Sequence, residues 1–517
     1  MSRTSVNYFT KKIKKFYDKS NRVEFLQGIW AIDRIQSNFP KYGFRYIIDL
    51  PEEAKTIDLS SSFHFAKWKL EELVNLDFVL SSQRYKPSTI QRRCDFSRWG
   101  TLARLFDYQL KLQNSQSGLE LKNIDVLDTM HRLAHQQFRW QKGVFNRTYL
   151  IRTGFVFSGP KASNFMEATY GYDIRSLQHY IFILYLRYLT TPILEIEYNG
   201  SKEEKIARSM ISKYSCSFEF AENEIRKIRG RKKLSEFGRS IIREYPLLSV
   251  GNDQYICPLP SLLLLRVTNG IYYDTIAAKD DISGEIGSNF ENYCFGFLQG
   301  SFQNFIVHEG YNYGTKKLPN FSPDLLVESD GAIHLICECK ATRMTHDNMN
   351  LVVNEQNQDK AIEELSKGVF QVWKYYKHSQ EISECKYKVD EHATGVVITL
   401  DGWTQLRFGL YEKVLIRANE RAEEAGILQK HRIDVGLCDI EDFESLCIQT
   451  NEKFFLSSLR NFAKDKSDFK WSPAQRFRED NPNDIVNKPN PYLSRFDQIV
   501  PWFHKGPEGL KKSLGMN

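Results

Sequence analysis

The apolar and polar positions of this chain follow two rhythms that divide its length unevenly. Through residues 1–200 apolar positions recur at helical spacing, most clearly over Lys67–Leu80, 99–112 and 175–188, which predicts a mostly helical N-terminal region. Over 201–280 two helical stretches lead to a strand-like segment at 254–257. The punctuation Tyr245-Pro246-Leu247-Leu248 and Cys257-Pro258-Leu259-Pro260 predicts a bridging α+β subdomain there. Over 281–465 the periods alternate. An amphipathic segment at 287–299 precedes a strand at 304–308 and two short strands joined by Asp330-Gly331. A helix at 361–378, a strand at 394–400, a helix at 406–424, a strand at 433–438 and a helix at 439–463 follow. From Trp471 onward Pro, Asn and Asp accumulate, which predicts an extended arm over 466–517. The fold class expected is a multidomain α/β protein without internal repeats.

The segment with chemistry in it is the Asp-Gly hairpin. Asp324 stands early on its first strand, and Glu338 and Lys340 stand late on its second. Side chains alternate along a strand, so Glu338 and Lys340 share one face while Cys337 and Cys339 share the other, toward a core. Two acids and an ammonium on one edge of an apolar hairpin suit a divalent metal held against a phosphodiester. The tripeptide Glu-x-Lys is common in this chain, at 53–55, 120–122, 203–205 and 384–386 as well. Only the copy ending at Lys340 follows an apolar-rich run, Ile333-His334-Leu335-Ile336, one hairpin after Pro323-Asp324.

Pro323-Asp324 with Glu338-Cys339-Lys340 resembles the PD-(D/E)xK, or restriction-endonuclease-like, nuclease superfamily, over roughly residues 283–402. Gln371 and Tyr375, four apart on one helical face, resemble the additional motif of its RecB-like branch. The resemblance implies an αβββαβ core with a mixed sheet inside 281–465. It also implies a Mg²⁺ site, with Mn²⁺ as substitute, built by Asp324, Glu338 and the main-chain carbonyl of Cys339. Lys340 would orient the attacking water or stabilise developing charge, and Glu291 would support a second metal or a bound water. Gln371 and Tyr375 would hold the surrounding shell. A strict two-residue turn would set Asp324 opposite Cys337, so this chemistry predicts a three-residue loop that brings Asp324 opposite Glu338.

Charge points to a polyanionic partner. Residues 1–250 carry 41 Lys and Arg against 26 Asp and Glu, whereas residues 251–517 carry 30 against 38. The positive field therefore lies in the N-terminal half, concentrated at Lys11, Lys12, Lys14 and Lys15 and at Arg226, Lys227, Arg229, Arg231, Lys232 and Lys233. Lys367, Lys374 and His378 fall near the Gln371 face and are further candidates for a phosphate backbone. Basic and aromatic residues interleave at 92–99 and 138–142, a pattern suited to nucleic acid. The partner expected is DNA. RNA, repair and recombination intermediates, and a non-catalytic nucleic-acid clamp are the rival readings.

The remaining features narrow the class. With 41% hydrophobic and 13% aromatic residues and 16 prolines, the composition is that of an ordered globular protein. The longest apolar stretches, 180–186 and 259–265, end at Arg187 and Arg266, too short for a bilayer, so no membrane partner is expected. Nine cysteines without a C-x-x-C pair fit a reducing cytoplasm, and the basic N-terminus lacks the apolar core of a secretory signal. No Gly-x-x-x-x-Gly-Lys-Ser/Thr loop supplies a motor. By resemblance the expected role is a bacterial restriction or anti-phage effector, answering a phage-derived or protein trigger. A homodimer is expected if both strands of a duplex are cut.

Overall fold

The computed structural model describes residues 3–37, 40–55, 61, 63–81, 94–120, 126–141, 147–196, 200, 202–230, 234–235, 237–277, 282–315, 318–343, 355–402, 410–465 and 472–506. The molecule is a mixed α/β protein. Its N-terminal core is built by helices α1 (Arg3–Asp18), α2 (Arg22–Ile35), α3 (Lys67–Leu80) and α4 (Trp99–Glu120). Helix α3 runs through the middle of that core, with Leu70, Leu73, Leu76 and Phe78 buried beside Glu71, Glu72 and Asp77. The helix predicted at 175–188 is α5 (Ile174–Tyr188), capped by the Asp173 carboxylate on Ser176 N–H. A four-stranded sheet of order β1-β4-β3-β2 adds to this half: β1 (Ile193–Glu195), β2 (Ser215–Ser217), β3 (Leu247–Gly251) and β4 (Gln254–Ile256). Helix α6 (Phe218–Arg229) follows β2.

The second half has a five-stranded mixed sheet between two helical layers. Helix α7 (Ile282–Ser301) precedes β5 (Ile306–Glu309), and a small ribbon of β6 (Asn312–Thr315) and β7 (Leu318–Phe321) comes next. The hairpin of β8 (Leu325–Ser329) and β9 (Ala332–Lys340) leads to helix α8 (Glu355–Glu381) and strand β10 (Val389–Thr399). Helix α9 (Leu410–Glu424), strand β11 (Val435–Asp439) and helices α10 (Ile440–Gln449) and α11 (Glu452–Lys464) complete it. The sheet order is β11-β10-β9-β8-β5. Strands β5, β8 and β9 pair antiparallel, and β9, β10 and β11 pair parallel. Strand β10, central and covered on both faces, is buried from Ala393 to Thr399, the unbroken pattern of a parallel interior strand. Helices α7, α10 and α11 share one core with the sheet, and α8 and α9 share the other.

Three expectations change on the structure. The helix predicted over 439–463 is two, because Asn451 caps α11 by accepting from Phe454 N–H and Thr450 leaves helical geometry. The β6–β7 ribbon was not predicted, since its four-residue strands alternate too briefly to be read. The C-terminal segment, expected as an extended arm, forms helices at Pro473–Asp480 and Leu493–Ile499 and is anchored: Phe477, Phe496 and Trp502 are buried, and Tyr492 stacks on Tyr293 of α7. The first four residues of the helix predicted over 406–424 lie outside the described residues.

Candidate active site

The hairpin turn has two residues, contrary to the predicted three. Ser329 pairs with Ala332, and Asp330 (φ 52°) and Gly331 (φ 77°) are both left-handed, as a type I′ turn demands. The register is corrected elsewhere, by a bulge. Glu328 pairs with Ile333 and Val327 with Leu335, so His334 has no cross-strand mate on β8. Beyond it the pairing runs to Leu325–Cys337, which sets Asp324, one step further, opposite Glu338. The facing of the two acids is as expected, but the device that produces it differs.

Around that junction the groups converge. Cys339 N–H donates to Asp324 Oδ2 at 2.6 Å, so the main chain of Cys339 turns toward Asp324. A strand residue directs its N–H and C=O to the same neighbour, so the Cys339 carbonyl leaves on that side too. Lys340 Nζ donates to Glu338 Oε1 at 2.8 Å and to Gln371 Oε1 at 3.2 Å. Gly368 lets α8 lie this close, since a Cβ there would stand 3.3 Å from Lys340 Cε. Glu338 is 2% exposed, and its Oε2 has no hydrogen-bond partner.

Electrostatics follow from too many carboxylates in a dry place. Burial raises the Glu338 pKa to about 8, with Asp324 adding to the rise and Lys340 opposing it. Glu291 on α7 is pushed to about 7, first by burial and then by Asp324. Asp324 is raised by burial, against the Cys339 hydrogen bond and Lys340. Burial works against the Lys340 ammonium, but Glu338 and Asp324 outweigh it and raise its pKa. A cleft of about 400 Å³ opens beside these groups, lined by Glu291, Asp324 and Gln371 among others.

Among the described residues, no three His, Cys, Asp or Glu side chains converge as a ready metal cage. The set implied by the motif is different, two carboxylates and one main-chain carbonyl. Glu338 Oε2, buried beside Asp324 without a hydrogen-bond partner, is an oxygen ligand that fits such a set.

Other predicted residues stand elsewhere. Tyr375 is fully buried and does not line the cleft. Its hydroxyl lies 3.1 Å from that of Tyr311, so it holds the base of the ribbon. His378 takes part in the same clasp, its Nδ1 2.8 Å from Tyr313 Oη. Burial, with Lys374 and Lys377, holds its pKa below the usual range, so the neutral ring can accept that hydroxyl. Lys367 is exposed and pairs with Glu364, and Lys374 is half-buried on α8. Lys11 and Lys15 are exposed on α1, Lys12 lies over the Tyr8 ring and Lys14 pairs with Asp18.

The second basic run is a correction. Arg229 is buried and forks onto Glu72 at 2.8 and 3.0 Å, so it is closed to a phosphate. Arg226 bonds the Ser81 carbonyl, and Lys227 pairs with Glu224 at the surface. Arg231, Lys232 and Lys233 lie outside the described residues. The interleaved aromatics are core as well: Phe96, Trp99 and Trp140 are buried, and Trp140 donates to Glu71. The residues that sequence reasoning missed are those of the ribbon, Tyr311, Asn312 and Phe321, which line the cleft from an element too short to predict.

Comparison with protein-family models, with curated proteins and with solved structures finds no match for this chain. No helix among the described residues is long and apolar enough to cross a membrane.

Proposed function

We propose that this protein is a metal-dependent nuclease of the PD-(D/E)xK type, acting on DNA. The observation that carries the reading is Glu338, a buried carboxylate facing Asp324 with one oxygen unpartnered. Lys340 pairs with Oε1 alone, so Oε2 is left as an oxygen ligand that a divalent cation shared with Asp324 would use. The element order supports the reading: a helix, three antiparallel strands, a helix, then a strand parallel to the third.

Asp324, Glu338 and the Cys339 carbonyl would hold Mg²⁺ or Mn²⁺, which would supply charge neutralisation of the phosphodiester and a more acidic water. Lys340 stays protonated and aims its ammonium between Glu338 and Gln371, where it can stabilise negative charge growing on a phosphoryl oxygen. Glu291, with a pKa of about 7, can take up or release a proton near neutral pH at the cleft wall. Gln371 fixes the lysine. A restriction or anti-phage role, with a trigger that releases activity, is the biological setting the motif resemblance favours.

The test compares wild type with Lys340→Ala on supercoiled plasmid, linear duplex, single-stranded DNA and structured RNA, with and without Mg²⁺. Cutting should require Mg²⁺ and fall by about 10²–10³-fold in the variant. Equal cutting by both proteins sinks the reading, and a wild type that binds DNA but cuts none of these substrates points instead to an effector that needs its trigger or to a nucleic-acid clamp.

A further inference from the structure

The cleft beside Asp324 combines acidic residues, Glu291, Glu309 and Asp324, with aromatic ones, Phe295, Tyr311 and Phe321. No Lys or Arg is among the described residues that line it. Phe321 is 70% exposed, more than any other large apolar side chain among the described residues. A single exposed apolar residue is ordinarily unremarkable on a surface. This one lines the cleft beside Asp324.

It pairs with Asn312 across the ribbon. The next residue, Ser322, is locked to Tyr311, donating its N–H to the carbonyl at 2.9 Å and accepting Tyr311 N–H on Oγ at 2.8 Å. Gly310 N–H donates to the Asp324 carbonyl at 2.8 Å. On the other face of the ribbon the Tyr313 ring is buried, its hydroxyl on His378. The backbone around Phe321 is therefore pinned, and its ring is exposed to solvent three residues from Asp324.

We propose that Phe321 is a stacking platform for an unpaired nucleobase, and that the cleft takes single-stranded nucleic acid in preference to duplex. The proposal rests on the nuclease reading of the site and specifies its substrate class. Nucleic acid is usually gripped through its phosphates by Lys and Arg, and the described residues of the cleft wall include neither. Stacking on an aromatic ring supplies affinity without charge and tolerates any base. A cleft of about 400 Å³ falls in the range of small-ligand sites, room for a nucleotide-sized group. A base paired and stacked within a duplex has both faces covered, so it would first have to be unstacked, at a cost of a few kcal/mol, to meet the ring.

The test uses oligonucleotides carrying 2-aminopurine, as single-stranded DNA, as single-stranded RNA and as duplex DNA. They are titrated with the full-length Lys340→Ala protein in Mg²⁺ so that binding is read without cutting. Single strands should be quenched on binding, and the DNA and RNA arms show which sugar is preferred. Adding Phe321→Ala should remove the quench and weaken binding about tenfold or more, while Phe321→Trp restores both. Unchanged quench and affinity in Phe321→Ala, or duplex binding as tight as single-strand binding, overturns the proposal. If wild type cuts duplex as readily as single strands and Phe321→Ala alters neither, the nuclease reading stands and this one falls. If quench depends on Phe321 but no cutting occurs, the reverse holds.

Discussion

Two regions of this molecule bury carboxylates, and they do it differently. Helix α3 buries Glu71, Glu72 and Asp77, each facing an arginine: Arg243 forks onto Glu71 at 2.6 and 2.9 Å, Arg229 onto Glu72, and Arg22 reaches Asp77 at 2.7 Å. Burial alone would raise the Glu71 pKa, yet Arg243 overcomes it and holds the group below its usual value. At the cleft, Asp324, Glu338 and Glu291 share one ammonium, and Glu338 rises to about 8. Asp77 lies between the two cases, because Arg22 also serves Glu222, and its pKa rises to about 7 with burial as the main cause. Buried acid by itself therefore says little about function. The local count of opposing charge says much more.

The comparison can be broken most forcefully on the paired side. Arg229→Ala should cost about 3–5 kcal/mol by urea unfolding, because buried Glu72 would lose the guanidinium that forks onto it. Cutting per folded molecule should not change; a loss under about 1 kcal/mol would mean that the two regions do not differ as described.

On the unpaired side the sign is opposite. The folded pKa of Glu338, about 8, lies above its ordinary 4.5, so the native state retains a proton that the unfolded chain releases. Metal-free protein should therefore be most stable below pH 4.5 on this account and lose stability as pH climbs toward 8. Glu338→Gln should flatten that slope, gaining on the order of a few kcal/mol over wild type above pH 8. A variant whose stability falls as steeply as wild type over this window contradicts the assignment.

Mg²⁺ offers a smaller shift in the same window. At about a hundredfold over its Kd it should stabilise wild type by ~2.7 kcal/mol at pH 8, reversibly with chelator, and leave Glu338→Gln nearly unmoved. The smallest effect concerns the ribbon. Tyr313→Phe should cost about 1 kcal/mol by losing the bond to His378, measured as a drop in Tm.

Much of the second half could be read in the sequence, because its central strands are apolar-rich and bounded by clear turns. Helix α8, strand β10 and the Asp-Gly hairpin stand where periodicity puts them, and Glu338 and Lys340 share a face as alternation requires. The route to the Asp324–Glu338 register could not be read, since a bulge leaves no composition signal. Arg229 looked like part of a solvent-facing run because its partner, Glu72, is 157 residues away. Tyr375 shared a helical face with Gln371 in the sequence, but the unpredicted ribbon occupies the space in front of it.

The bulge at His334 has one further consequence, which is a matter of slack. Thirteen residues separate Asp324 from Glu338: ten form five pairs, two make the turn and one is spare. A chain lacking His334 would close as a regular hairpin, with Ile333 still opposite Glu328 and Leu335 still opposite Val327. Its two carboxylates would face each other as before. The hairpin thus stores one removable residue in its strand and none in its loop, and a deletion there is the change of length that the site can absorb.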